Sequence, residues 1–330
     1  MQRKRNVLVI SLLVILTVGL YYQYFPVGLT WSISVSSDGH YALSAHENHA
    51  LLLWDLHNRT YHVISRNADP NSTYFIPYSD RFIWQTPSGR IVVENVKQQI
   101  IKQISTGKLN HHFSSLVGQE HLSLIKNCDS NGILVLDRNS NAITHRITTL
   151  IGNCAVTLDP KLTTIVGGDE QSHAFIWDAK TGKRLFQLYD IFDGKFIKLK
   201  HPDKDGFFWR IDKSLLTVMP PKDWIDEQGF RDSQANLQFV YIDQEHYLRF
   251  ITYVPFSILY QTHDPKPLKY LPLGRNPFPN VSDYRRADAI ASSWQAHVLV
   301  VGQAHNDGIL VYQYQSTTQQ LTLSWIGNVL

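Results

Sequence analysis

The chain has 330 residues, of which 43% are hydrophobic, 12% aromatic and 18% charged, a composition typical of a folded globular protein. Its formal net charge is +3, and three basic residues near the N-terminus, Arg3, Lys4 and Arg5, account for the whole excess. The rest of the chain is neutral and its basic patches are short, Lys180 with Lys183-Arg184 and Arg285-Arg286, which argues against nucleic-acid binding.

Residues 1–25 predict a membrane anchor. After Arg3-Lys4-Arg5, the run from Val7 to Leu20 carries no charge, and an aromatic stretch, Tyr21 to Phe25, follows. Segments in this order are typical of a transmembrane helix, and the run with its flank approaches the roughly 20 residues that span a bilayer. A cleavable signal peptide has small residues after the apolar run, whereas bulky ones stand here, so we expect an uncleaved signal anchor. A cleaved signal peptide and a buried core helix are the alternatives.

The positive charges also predict the orientation of the chain. Because basic residues stay on the cytoplasmic side of a membrane, Arg3-Lys4-Arg5 place the N-terminus in the cytoplasm. The next charged residue is Asp38, so no charge just beyond the anchor opposes this orientation. We therefore expect residues 28–330 to form an extracytoplasmic domain, periplasmic if the source is a bacterium, with the membrane as one partner.

A repeated pattern runs through residues 28–330. Apolar runs similar to Leu51–Trp54 recur at a period of about 42 residues. The residues in the place of Trp54 are, in order, Trp54, Glu94, Leu136, Trp177, Met219, Gln261 and Tyr312. An insertion from Asn276 to Asp288 lengthens the last interval. Four short strand-like segments per unit, separated by turn residues, predict an all-β fold: a seven-bladed β-propeller of four-stranded antiparallel blades, preceded by one N-terminal transmembrane helix.

The propeller hypothesis makes three local predictions. The third strand of a blade is covered on both faces, so Leu51–Trp54 reads as a continuous apolar run. Asp55 then opens a turn in which its side chain bonds the backbone. Unit 1 begins with the strand-like segment 31–36 and the chain ends with another, 321–326. We therefore expect each blade to be made of contiguous sequence and the ring to close where the last blade packs on the first, or by only a short strand exchange.

The repeats resemble those of the WD40 family. In the first unit the resemblance rests on the turn Ser37-Asp38-Gly39 and on Leu53-Trp54-Asp55. In the fourth it rests on Gly167-Gly168-Asp169, Ile176-Trp177-Asp178 and Thr181-Gly182-Lys183. The Gly-His dipeptide of the family is missing from its usual place, and the second, third, fifth and sixth units are degenerate. The resemblance covers the chain after about residue 28 and implies a propeller fold and protein–protein interaction.

Three histidines are candidate metal ligands. His46 and His49 fall in the turn between the second and third strands of the first unit, and His305 falls in the same turn of the seventh. If the first and last blades are neighbours, three imidazoles can converge on Zn²⁺ or Cu²⁺. The alternative is that they are solvated turn histidines.

Two further sets of residues are candidate sites. Cys128 and Cys154 are expected in adjacent blades, where an oxidising compartment would allow a disulfide; two unpaired thiols are the alternative. The insertion carries Tyr284, Arg285 and Arg286, which we consider a candidate partner contact because insertions in repeats map to loops that often bind. A long loop without a partner is the alternative.

No local motif points to a reaction. The chain has no G-x-S-x-G, glycine-rich phosphate loop, H-E-x-x-H or C-x-x-C. Because propeller active sites are assembled from several blades, an enzyme stays open, although we favour a non-enzyme and predict no cofactor. The favoured function is a membrane-tethered platform for protein–protein interaction or an assembly component. The alternatives are an extracytoplasmic propeller enzyme of lactonase, quinone-dependent dehydrogenase or glycan hydrolase type, and a small-ligand sensor.

Overall fold

The computed structural model describes most of the chain after residue 27. The described ranges are 28–71, 73–105, 114–119, 122–127, 132–137, 142–147, 156–168, 174–188, 195–199, 209–211, 225–226, 237–251, 256–273, 289–302 and 308–328. These ranges contain no helix that is long and apolar enough to cross a membrane. The predicted anchor, residues 1–25, lies outside them and stays a prediction.

The described ranges contain strands joined by turns. The first two sheets consist of β1 (Thr30–Val35), β2 (Tyr41–His46), β3 (Leu51–Asp55) and β4 (Thr60–Ser65), and of β5 (Thr73–Phe75), β6 (Arg81–Gln85), β7 (Arg90–Asn95) and β8 (Ile100–Ser105). The next two consist of β9 (Ser114–Gln119), β10 (Leu122–Asn127), β11 (Gly132–Asp137) and β12 (Ala142–Ile147), and of β13 (Val156–Leu158), β14 (Thr164–Gly168), β15 (Ala174–Asp178) and β16 (Arg184–Gln187).

The remaining strands form one small sheet and two larger ones. The small sheet is three-stranded and contains β17 (Lys195–Leu199), β18 (Trp209–Ile211) and β19 (Ile225–Asp226). The larger ones are four-stranded and consist of β20 (Leu237–Tyr241), β21 (His246–Ile251), β22 (Phe256–Gln261) and β23 (Pro267–Pro272), and of β24 (Ala289–Ser293), β25 (Val298–Gly302), β26 (Gly308–Gln315) and β27 (Gln320–Asn328).

Every four-stranded sheet follows the same plan. Its strands are antiparallel and lie side by side in chain order, so each sheet is made of contiguous sequence. The sheet at the C-terminal end takes all four of its strands from residues 289–328, and β1 belongs to the first sheet. The predicted four-stranded plan is therefore confirmed in these sheets, and in the described residues β24 and β25 of the last sheet pack against β1 of the first, as the predicted closure requires.

The first strands lie at the centre of a ring. They contact one another in the order β1, β5, β9, β13, β20, β24 and back to β1, which is the arrangement of a β-propeller. Each first strand begins on one face of the ring, which we call the proximal face, and ends on the other, the distal face. Residues 28–30 and the turn 47–49 lie on the proximal face. The turns 36–40 and 56–59 lie on the distal face.

The predicted number of seven blades is not confirmed. Strands β13 and β14 contact β20 directly, so the sheets β13–β16 and β20–β23 meet without the sheet β17–β19 between their inner strands. The predicted run that ends at Met219 lies outside the described residues. A sequence period indicates which segments form strands, but which sheets become neighbours depends on contacts between distant segments.

The strand β3 shows why its sequence is apolar at consecutive positions. Leu51 and Leu53 pack in a cluster with Phe82 and Trp84 of the second sheet. Leu52 and Trp54 point to the opposite side, into a cluster with residues of the last sheet. All four side chains of this run are buried, as the sequence predicts. Burying one leucine of this kind stabilises the fold by roughly 1.5–3 kcal/mol.

The aspartates that follow Trp54 and Trp177 each close a turn. Asp55 accepts hydrogen bonds through Oδ1 from the backbone N–H of His57 at 3.1 Å and of Asn58 at 2.8 Å. Asp178 accepts the backbone N–H of Thr181 through Oδ1 at 2.7 Å, and the hydroxyl of Thr181 donates to the same oxygen. The Thr181 bonds hold the pKa of Asp178 below its ordinary value. The turn chemistry predicted for Asp55 is therefore confirmed, and Asp178 shows the same arrangement.

Candidate functional site

Hydroxyl groups join the first two sheets at positions one repeat apart. Ser32 Oγ lies 2.9 Å from Thr73 Oγ1, and Ser34 Oγ accepts the backbone N–H of Phe75 at 2.8 Å. Both pairs are separated by 41 residues in the sequence. The inner strands β1 and β5 are therefore held in register by side chains of β1, and this fixes the relative position of the two sheets.

The first and last sheets interlock through two glycines. A Cβ atom at Gly302 would lie 2.6 Å from Cβ of Thr30, and one at Gly327 would lie 2.8 Å from Cζ3 of Trp54. Real Cβ atoms do not approach other atoms this closely, so only glycine allows the two sheets to meet here. Thr30 also donates its hydroxyl to the carbonyl oxygen of Gly308, 3.4 Å away.

A buried chain of hydrogen bonds runs from Trp54 to the proximal face. The indole Nε1 of Trp54 donates to Ser44 Oγ at 2.7 Å, and Ser44 Oγ lies 2.7 Å from Nε2 of His46. Because the carbonyl oxygen of Gly28 can only accept, the Nδ1 of His46 donates to it at 3.2 Å, and Nε2 of the neutral ring accepts the proton of the Ser44 hydroxyl. Burial lowers the pKa of His46 to about 4, so the ring is neutral at physiological pH.

The predicted metal ligands can be followed only in part. Both ring nitrogens of His46 lie in the hydrogen bonds just described, and the Nδ1 of His49 lies 3.0 Å from the carbonyl oxygen of Ala68. Within the described ranges, no group of three or more His, Cys, Asp or Glu side chains could hold a metal ion. His305 lies outside those ranges, so the convergence of the three histidines stays a prediction.

The other predicted site residues fall outside the described part of the chain. Cys128, Cys154, Tyr284, Arg285 and Arg286 all belong to segments that the structure does not describe. The proposed disulfide and the proposed contact in the insertion therefore stay predictions.

A carboxylate–imidazole pair lies on the distal face. The Nδ1 of His246 lies 2.9 Å and 3.0 Å from the two carboxylate oxygens of Asp243, and the backbone N–H of His246 also donates to this carboxylate. Burial alone would raise the pKa of Asp243, but the hydrogen bonds from His246 and from the backbone hold it below its ordinary value. The sequence shows these residues only as one more turn, Asp243 to His246, and sequence reasoning missed their pairing. The pair closes that turn as Asp55 closes its own.

Stacked tyrosines line the side of the sheet β20–β23 that faces β13–β16. The rings of Tyr247 and Tyr260 are stacked, with centroids 5.4 Å apart, and the Tyr241 ring lies 5.5 Å from Tyr247. Burial raises the pKa of the Tyr247 hydroxyl well above its ordinary value. At the distal end of this junction, Lys161 Nζ lies 3.7 Å from Glu245 Oε1. The direct meeting of β13 and β20 is therefore accompanied by aromatic and ionic contacts.

Among the described residues, each face of the ring presents one exposed aromatic side chain that the sequence did not single out. Trp31 is 51% exposed at the proximal end of β1, where the pairing with β2 shifts register between Thr30 and Ser32. Such a bulge turns a side chain out of the regular sheet. Tyr78 is 53% exposed on the distal face, in a turn whose backbone N–H donates to Ser37 Oγ at 3.1 Å. Aromatic residues are enriched at interfaces, so these are the side chains best suited to contact a partner.

Comparisons with known proteins identify similar structures but no family. No known protein-family profile matches the chain. No curated protein matches it either.

Several solved structures align with the chain at low identity. A chain of the crystal structure of the mitotic checkpoint complex aligns with a TM-score of 0.47 and 9% identity, over 92% of this chain and 79% of that one. The structure of U3-55K aligns with a TM-score of 0.45 and 13% identity, over 90% and 81% of the two chains. The RRP9 WD40 repeats align with a TM-score of 0.46 and 13% identity, over 90% and 80%. At these TM-scores and identities, the similarity carries no argument about the fold. The ring follows from the contacts between the sheets of this chain.

Proposed function

We propose that the chain is a membrane-tethered, extracytoplasmic propeller of WD40 type that serves as a platform for protein–protein interaction or as an assembly component. The observation that supports this proposal most directly is an exposed aromatic side chain on the distal face. Tyr78 stands exposed there on a turn that is hydrogen-bonded to the neighbouring sheet through Ser37. An aromatic side chain held on a rigid support binds a partner at low cost in conformational entropy.

The ring supports this use because side-chain contacts hold the first sheet against both of its neighbours. The hydroxyl bridges between β1 and β5 and the glycine contacts between the first and last sheets fix neighbouring turns relative to one another. A surface that is already ordered loses little freedom when it binds. The partner is a protein that brings an apolar or aromatic side chain to Tyr78. No cofactor enters this proposal.

Membrane tethering rests on the sequence of residues 1–25. The order of basic, apolar and aromatic segments is that of a signal anchor, with the basic end in the cytoplasm. The enzyme and sensor alternatives would need convergent polar side chains in the channel or on one face. The Asp243–His246 pair is engaged in its own turn and does not favour either of them.

Crosslinking mass spectrometry in intact membranes of the source organism tests the proposal. We expect the full chain to remain with membranes after an alkaline carbonate wash and to be crosslinked to another protein through distal-face lysines. The Y78A variant should lose these crosslinks, whereas H57A, which removes another exposed distal-face side chain, should keep them. Release of the chain by carbonate would contradict the tether. A chain that stays in the membrane without intermolecular crosslinks would contradict the platform.

A further inference from the structure

The chain is fixed to the proximal face at its first described residues. The carbonyl oxygen of Gly28 accepts a hydrogen bond from Nδ1 of His46 at 3.2 Å. The carbonyl oxygen of Leu29 accepts the backbone N–H of Glu47 at 2.9 Å. Two consecutive residues before β1 are therefore tied to the end of β2 and to the turn that follows it, and the position of Gly28 on the ring is set.

The length of chain before Gly28 limits the distance between the ring and the predicted anchor. The aromatic end of the anchor is Phe25, and only Pro26 and Val27 stand between it and Gly28. Three Cα–Cα steps span at most about 11 Å. A strand of the length of β1, which has six residues, extends over roughly 17–20 Å from the proximal toward the distal face. The connection is too short to bring the distal face to the membrane surface.

Trp31 stands on the face that this short connection holds near the bilayer. It follows Gly28 by three positions, and the bulge in β1 leaves its side chain 51% exposed. Tryptophan is enriched at membrane–water interfaces, where its apolar ring and its indole N–H are both accommodated. An exposed tryptophan at this place is therefore suited to lipid headgroups.

We propose that the proximal face of the ring lies against the outer surface of the lipid bilayer, with Trp31 in the headgroup region, so that the distal face points away from the membrane. This inference rests on the tether put forward under the proposed function. Two features give the ring this orientation: the short connection from the anchor to Gly28, and the exposed Trp31 on the same face. The distal face, with Tyr78, is then the face that remains accessible to proteins.

Site-specific fluorescence in vesicles tests this orientation. The full chain is reconstituted in phosphatidylethanolamine–phosphatidylglycerol vesicles, with an environment-sensitive fluorescent amino acid in place of Trp31. A matched protein carries the same probe in place of Tyr78, which has a similar exposure on the distal face. We expect lipids with a nitroxide near the headgroup to quench the probe at position 31 several-fold more strongly than the probe at position 78.

The outcomes separate the orientation from the tether. Vesicle flotation reports the tether: if the full chain does not float with vesicles, both proposals fail. If the chain floats but the two probes are quenched equally, or position 78 more strongly, the orientation is wrong and the tether stands. If the probe at position 31 is shielded from lipid quenchers and from a soluble quencher alike, a protein surface covers Trp31, and the lipid proposal is overturned.

Discussion

The indole Nε1 of Trp84 donates a hydrogen bond to Oε2 of Glu94, 3.1 Å away, across the strands β6 and β7. In the first sheet Trp54 donates to Ser44 at 2.7 Å, across β2 and β3. The two partners are ten residues apart in both sheets, but the tryptophan has changed strands. Glu94 stands in the place of Trp54, and the exchange keeps one buried indole donor and one acceptor in each sheet.

The W84F variant tests whether this bond stabilises the second sheet. Phenylalanine keeps most of the buried ring but leaves the Glu94 carboxylate without its indole donor. Because a buried polar group that loses its partner costs about 1–3 kcal/mol, we expect the free energy of unfolding to fall by that amount. Urea unfolding followed by circular dichroism measures it. The E94Q variant is the control, since the amide oxygen still accepts from Trp84, and it should fall by less.

This pair also shows how far the sequence predicts the fold. The third strands were predicted because residues such as Leu52 and Leu53 are buried on both faces, which leaves a continuous apolar run. In the sequence, Glu94 made the second unit look degenerate. The pattern of single residues does not show that the tryptophan has moved to the neighbouring strand. The sequence does not predict that Trp31 is exposed and not part of the core, because its exposure depends on a bulge in the pairing with β2.

The titration of His46 predicts a loss of stability in mild acid. The pKa of this buried ring is lowered from 6.5 to about 4, so between these values the unfolded chain binds a proton that the folded chain does not. The contribution of His46 is therefore complete above pH 6.5 and is lost as the pH falls toward 4. The shift in the pKa corresponds to about 3 kcal/mol in the free energy of unfolding.

A comparison of unfolding curves measured from pH 7 to pH 4 isolates this effect. The H46Q variant should be less stable at pH 7, because it disturbs the bonds to Ser44 and Gly28, and its stability should fall less steeply with pH than that of the natural chain. Equal slopes for H46Q and the natural chain would contradict a buried neutral His46.

Closure of the ring predicts a strong effect of one methyl group at Gly302. Its Cβ would lie 2.6 Å from Cβ and from Cγ2 of Thr30, so the first and last sheets must separate in the G302A variant. Overpacking of this kind typically costs about 1–3 kcal/mol, and we expect a matching fall in the free energy of unfolding. Thermal unfolding monitored by circular dichroism is the measurement. An unchanged midpoint would mean that the two sheets do not meet as described.

The contact between Lys161 and Glu245 predicts that the sheet β13–β16, from the fourth unit of the sequence, lies next to the sheet β20–β23, from the sixth. Both side chains are more than half exposed, so the ion pair adds little to stability, but its 3.7 Å separation is short enough for a zero-length crosslink. A carbodiimide should couple the Lys161 amine to the Glu245 carboxylate, and mass spectrometry of a digest should detect the joined peptides. The K161R variant, which cannot form a stable amide, is the control. If a complete blade stood between β13 and β20, these two residues would be separated by a whole sheet and no joined peptide would form.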